Sequence, residues 1–289
     1  MSDFTPPNPP DSDQPSGPSS TGSPQPPVPP TGSAAPLEGP DRPGKVDVGD
    51  WFRRSWALIS PYWLDFVLVF LVFQMVLVVG YLLCLVPALL VIGPLTGGAF
   101  VYIGKRVVGQ PAEIGDIFKG FRKFGDTLLL AVVLFLIPLA FLAIMFLPGI
   151  LASMGVTSSS VEIQELSAGL GGLTSCLGCV GTILFVFVYP MIVGTLFVFA
   201  YPLVMFKGLG ALEALKQSVN LVKPKFFEFL MLLLANVVIL MIAQTAGTLL
   251  CGIGVLVLGP LANAVIIAMQ VYAFKDIVGL EASDLAGYD

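Results

Sequence analysis

From about residue 47 onward the chain alternates between long uncharged apolar runs and short segments where the basic residues collect. No charged side chain occurs between Asp65 and Lys105, a run of 39 residues. As one helix this run would be roughly 58 Å long at 1.5 Å per residue, against a hydrocarbon core of about 30 Å, so it predicts two crossings. The 46 uncharged residues between Glu228 and Lys275 predict a second hairpin, turning near Gly247 to Gly254. Between Asp126 and Lys207 only Glu162 and Glu165 are charged, in a Gly/Ser-rich segment from Gly149 to Gly178 that separates two further apolar runs. The pattern predicts an all-α polytopic membrane protein. Its six transmembrane helices fall at about 64–84, 88–107, 127–148, 179–206, 226–247 and 253–275.

The fourteen basic residues support that count independently. Arg42, Lys45, Arg53 and Arg54 precede the first run, and Lys105, Arg106, Lys119, Arg122 and Lys123 follow the second. Lys207, Lys216, Lys223 and Lys225 follow the fourth run and Lys275 ends the sixth. Six crossings place every one of them on the same side, which the positive-inside rule makes cytoplasmic, with both termini inside. Five or seven crossings would scatter them.

An internal repeat underlies the pattern. Ser55, Leu58, Pro61 and Phe66 recur as Ser218, Leu221, Pro224 and Phe229, at a constant offset of 163, and Asp65 matches Glu228 in kind. Gly93-Pro94-Leu95 recurs as Gly259-Pro260-Leu261. A middle hairpin opening at Asp116 is a weaker third copy. Three hairpins that each begin and end on the same side are parallel repeats about an axis along the membrane normal.

Each copy opens with an amphipathic stretch expected to lie in the interface. In the first, Val48, Trp51, Phe52, Trp56 and Ile59 share a face, Arg53 and Arg54 project from the other, and Asp47 or Asp50 caps the start. Ile114, Ile117, Phe118 and Phe121 beside Lys119 and Arg122 form the second; Leu212, Leu215, Val219 and Val222 beside Lys216 form the third. The basic faces would attract anionic lipid headgroups. Pro61 and Pro224 are expected to break the helix ahead of each span.

Three motifs, Gly-Pro-Leu-x-x-Gly at Gly93 to Gly98, Gly115 to Phe121, and Ala211 to Ser218, resemble those of bacterial six-span membrane proteins of unknown function. That group is related to the membrane domain of glycerophosphodiesterases and to YciC-like inner-membrane proteins. The resemblance covers about residues 47–280 and implies a bacterial cytoplasmic (inner) membrane location. The soluble phosphodiesterase domain has no counterpart here.

Composition adds the remaining expectations. Residues 1–46 hold fourteen of the 24 prolines and five acids against Arg42 and Lys45, too few apolar side chains to offset ordering, so they read as a disordered tail. Pro26 to Pro30 serves as a semi-rigid tether or docks a protein partner as polyproline II. No signal peptide opens the chain. Residues 281–289 read as a short acidic tail. Net charge −5 argues against nucleic acid, and histidine, the commonest general base and metal ligand, is absent. No cofactor or metal motif is present.

Asp65, Asp126 and Glu228 begin spans one, three and five; they form an acidic ring at a pore mouth or complement helix dipoles. Gln244, Asn263 and Gln270 are intramembrane amides suited to interhelical packing or to substrate contact. Cys84, Cys176, Cys179 and Cys251 fall at the outer span ends, where they are inert thiols, disulfides or, less simply, redox centres. The reading is a non-enzymatic integral membrane protein acting through lipid or protein association. A transporter or channel for a small or amphiphilic molecule is the alternative, and a membrane thiol oxidoreductase the weaker one. Substrate and oligomeric state are left open.

Overall fold

A computed structural model of the chain describes residues 46–83, 85–136, 138, 140, 188, 189, 191–250 and 254–288. The proline-rich segment, the Gly/Ser-rich segment and all four cysteines fall outside the described residues. By contacts the chain divides into Met1–Glu38, wholly outside them, and Gly39–Asp289, which holds everything below.

Among the described residues every regular element is helical and no strand occurs. The helices are α1 (Val48–Ile59), α2 (Trp63–Leu83), α3 (Leu85–Val107), α4 (124–136), α5 (Met191–Lys207), α6 (Ala211–Val222), α7 (Phe226–Leu249) and α8 (Val255–Ile277). Four helices, ending in α2, α3, α7 and α8, are long and apolar enough to cross a bilayer, which marks a membrane protein. Large apolar side chains such as Leu82, Leu249 and Met241 stay exposed along α2 and α7. Such outward faces suit a hydrocarbon solvent. The inward faces pack as one cluster containing Phe66, Phe70, Leu203, Phe229 and Phe274.

The segments that open the first and last hairpins share a layout. α1 and α6 are each twelve residues long, start 163 apart, and run into three-residue 3-10 turns, Ser60–Tyr62 and Lys223–Lys225, that carry Pro61 and Pro224. The two prolines interrupt the α-helix, as the sequence predicts: α1 ends at Ile59 and α6 at Val222, just ahead of them. Each sits in the first turn of its 3-10 segment, where a missing N–H costs nothing, and α2 and α7 resume at once.

α1 also corrects the expected partition of faces. Asp47 caps it by accepting the Asp50 N–H at 3.1 Å. Trp51, Arg54, Ser55 and Ile59 are buried, while Arg53, Phe52 and Trp56 face outward. Arg54 lies three residues from Trp51 and so shares its face, where both side chains reach Asp276 at the end of α8. Phe52 and Trp56, one step around, lie on the exposed side. In α6 the same registers, Ala214, Ser218 and Val222, are buried, but Leu212 is exposed.

The middle segment differs from both. Ile114–Lys123 is a 3-10 helix, lodged against α3. A Cβ on Gly98 would overlap the Ile117 carbonyl, and one on Gly120 would overlap the Pro94 carbonyl. Backbone meets backbone here. The Gly-Pro-Leu-x-x-Gly and Gly115 to Phe121 motifs are therefore two halves of one packing surface, as small residues allow in membranes.

Candidate functional site

Between α3, α4, α5 and α8 two cavities adjoin, of about 280 and 440 Å³, sharing Thr96, Leu134 and Tyr201 as common wall. Ile92, Ala131 and Phe135 line the first; Val193, Leu233 and Ile267 line the second, so the cleft is mostly apolar. Its polar groups are few and unequal. Thr96 Oγ1 donates to Ile92 O at 2.7 Å, a bond within its own helix, and the Tyr189 hydroxyl donates to Leu134 O at 2.7 Å across to α4. The Tyr201 hydroxyl and the Gln270 amide have no hydrogen-bond partner among the described residues. Tyr201 is held in place by stacking on Phe100, ring centroids 6.2 Å apart.

The three intramembrane amides meet different surroundings. Gln270 faces the cleft, Asn263 Nδ2 bonds back to Gly259 O at 2.9 Å, and Gln244 is exposed on α7. Asn236, a fourth amide, is buried with its Oδ1 unpaired. Tyr201 escaped sequence reasoning because tyrosine counts as apolar in a hydrophobic run; its place after Phe199 and before Pro202 was the only signal.

The acidic trio is tied to different neighbours. Asp65 lies 3.5 Å from Arg106, whose guanidinium also covers the Tyr62, Phe66 and Tyr102 rings. Asp126 Oδ1 accepts the Ala211 N–H at 3.1 Å and so caps α6. Glu228 is exposed in the first turn of α7.

No protein family, curated protein or solved structure matches the chain. The site must be read from its own chemistry.

A second polar region gathers the helix ends. Arg54 donates to both Asp276 oxygens, one at 3.1 Å, and Trp51 Nε1 donates to Asp276 Oδ2 at 2.7 Å. Lys105, buried, pairs with buried Asp116 at 3.5 Å. The C-terminal residues, expected to be a tail, instead form a 3-10 segment, Ala282–Tyr288, with Leu285 and Tyr288 buried. Lys119 and Arg122 donate to the Tyr288 and Gly287 carbonyls, and the Tyr288 hydroxyl donates to Met205 O at 2.9 Å. The turn repeats a device seen earlier in the chain. Glu281 N–H donates to Asp284 Oδ2 at 3.0 Å, as Glu113 N–H donates to Asp116 Oδ2 at 2.9 Å.

Proposed function

We propose that the chain is a non-enzymatic protein of the bacterial cytoplasmic membrane, with six crossings in three hairpins, that acts by receiving an amphiphilic lipid in the cleft at Tyr201 and Gln270. Two contacts support the even count. Arg54 precedes the first crossing and Asp276 follows the last, yet they pair; Lys123 precedes the third and reaches Val204 at the end of the fourth. Each meeting needs an even number of crossings between its partners. The matched layout of α1–α2 and α6–α7 supports duplication of a hairpin. Basic residues at that shared end favour a cytoplasmic face.

The observation that carries the lipid reading is the cleft's composition: apolar walls fit acyl chains, and two polar groups without partners among the described residues fit a headgroup or glycerol oxygen. Filling it tests the idea. Native mass spectrometry of the purified full-length protein should find retained lipid, and Leu134→Trp should release it. Equal retention by that variant would reject the reading.

The alternative is passage of such a molecule through the cleft, favoured by the two cavities lying wall to wall. Proteoliposomes that move labelled lipid no faster than protein-free liposomes would exclude it.

A further inference from the structure

At the basic end a third cavity, of about 450 Å³, opens between Arg122, Lys123, Lys207, Gly208, Asp284 and Tyr288. Three cations face a single carboxylate, and that carboxylate is committed: Lys207 Nζ donates to its two oxygens at 2.9 and 3.1 Å. Arg122 and Lys123 meet no carboxylate within 4.0 Å among the described residues. Their acceptors are main-chain carbonyls, Gly287 O for Arg122 and Val204 O, at 2.8 Å, for Lys123. An ammonium carries three donors and a guanidinium five, so both keep donors for another acceptor.

Desolvation adds to the imbalance. Burial pushes the Lys123 ammonium below its ordinary pKa, and the nearby Asp126 charge only partly offsets it. Asp126 already accepts the Ala211 N–H. The backbone keeps the space beside Lys123 clear: Gly208 has φ +70, and a Cβ there would lie 3.3 Å from Lys123 Nζ. Exposed Phe118, Phe121 and Phe124 flank Arg122 and Lys123 in sequence, apolar rings suited to the boundary between headgroups and acyl chains.

We propose that Arg122, Lys123 and Lys207 form a binding site for a phosphate-bearing anion, supplied either by an anionic lipid headgroup or by free phosphate. Clustered cations with spare donors match the several acceptor oxygens of a phosphate. The inference deepens the lipid reading and rests on its placing the basic end at the membrane surface.

The test compares thermal unfolding of the full-length protein in phosphatidylcholine vesicles with and without phosphatidylglycerol, and separately in detergent with inorganic phosphate. Phosphatidylglycerol should raise the midpoint, and Arg122→Gln and Lys123→Gln should each weaken its binding about fivefold, the loss of one near-surface charge. Protection by inorganic phosphate alone, lost in the same variants, assigns the site to the soluble anion. Absence of protection by either ligand, or protection that survives both substitutions, overturns the proposal. Arg122 is exposed, so its variant decides the matter even where Lys123→Gln fails to fold, and Lys123→Arg should keep the protection. Leu134→Trp should leave this protection intact, which separates failure here from failure of the cleft.

Discussion

In the first hairpin Gly93 and Gly98 press α3 against the backbone of Thr127 and Ile117, whereas Gly259, at the matching place in the last hairpin, has no described neighbour within 4 Å of where a Cβ would lie. The serines differ the other way. Ser218 Oγ donates to Leu196 O at 2.7 Å and accepts the Phe199 N–H at 3.3 Å, patching α5 where its ladder is interrupted at 197–199. Its counterpart Ser55 is buried with no hydrogen-bond partner among the described residues. Helix lengths and proline turns follow from local sequence and so recur, while each hairpin's neighbours decide what a given register does.

The largest contrast is expected at Arg54 and its counterpart Gln217. Arg54→Ala would leave the half-buried Asp276 carboxylate with Trp51 Nε1 alone, at a cost of about 3 kcal/mol, and Gln217→Ala, on an exposed face, should change little. A double-mutant cycle with Asp276→Asn measures the coupling in thermal unfolding. Next comes the glycine pair: Gly98→Ala forces α3 off Ile117 and should cost about 3 kcal/mol. Gly259→Ala should stabilise the protein by up to about 1 kcal/mol, the ordinary helical preference for alanine. Opposite signs in unfolding midpoint would confirm that one motif serves two packing roles.

A smaller difference separates the serines. Ser218→Ala leaves the Phe199 N–H buried and unpaired, at about 1–2 kcal/mol, while Ser55→Ala removes a hydroxyl that has no partner and should be neutral or better. The smallest effect concerns the C-terminal clasp. Burial pushes the Asp284 carboxyl up, but Lys207 and the Glu281 N–H outweigh it and hold it below its ordinary value. Its folded pKa is thus below its unfolded one, so its contribution is present at neutral pH and fades as pH falls through the folded pKa. Burial pushes the Tyr288 phenol the other way, to about 12 despite Arg122. That contribution holds below pH 10, the unfolded value, and is lost as pH rises through about 12. Protease protection of residues 282–288 should therefore fall at both extremes.

Periodicity and charge spacing were enough to place both described hairpins, since span length and basic flanks are local properties; α2, α3, α7 and α8 lie within a few residues of the expected runs. The face of α1 was misread at Arg54 because its partner, Asp276, is 222 residues away and nothing near Arg54 announces it. Residues 281–288 looked like a tail for the same reason: short, acidic and glycine-containing, they gain order from distant elements, through Lys119, Arg122 and Lys207, the Met205 carbonyl and the burial of Leu285 and Tyr288. In the cleft, Gln270 was legible as a polar interruption, but Tyr201 and Thr96 were not, because only the packing of α3, α4 and α5 brings them together.

Sided labelling tests the topology most directly. In a background with the four cysteines replaced by serine, Arg53→Cys, Lys216→Cys and Glu281→Cys would each be treated with a membrane-impermeant maleimide, on intact spheroplasts and after lysis. Labelling of all three only after lysis is the expected result, since the proposed topology starts and finishes every hairpin on the cytoplasmic side. Labelling of any one of them in intact spheroplasts would contradict it.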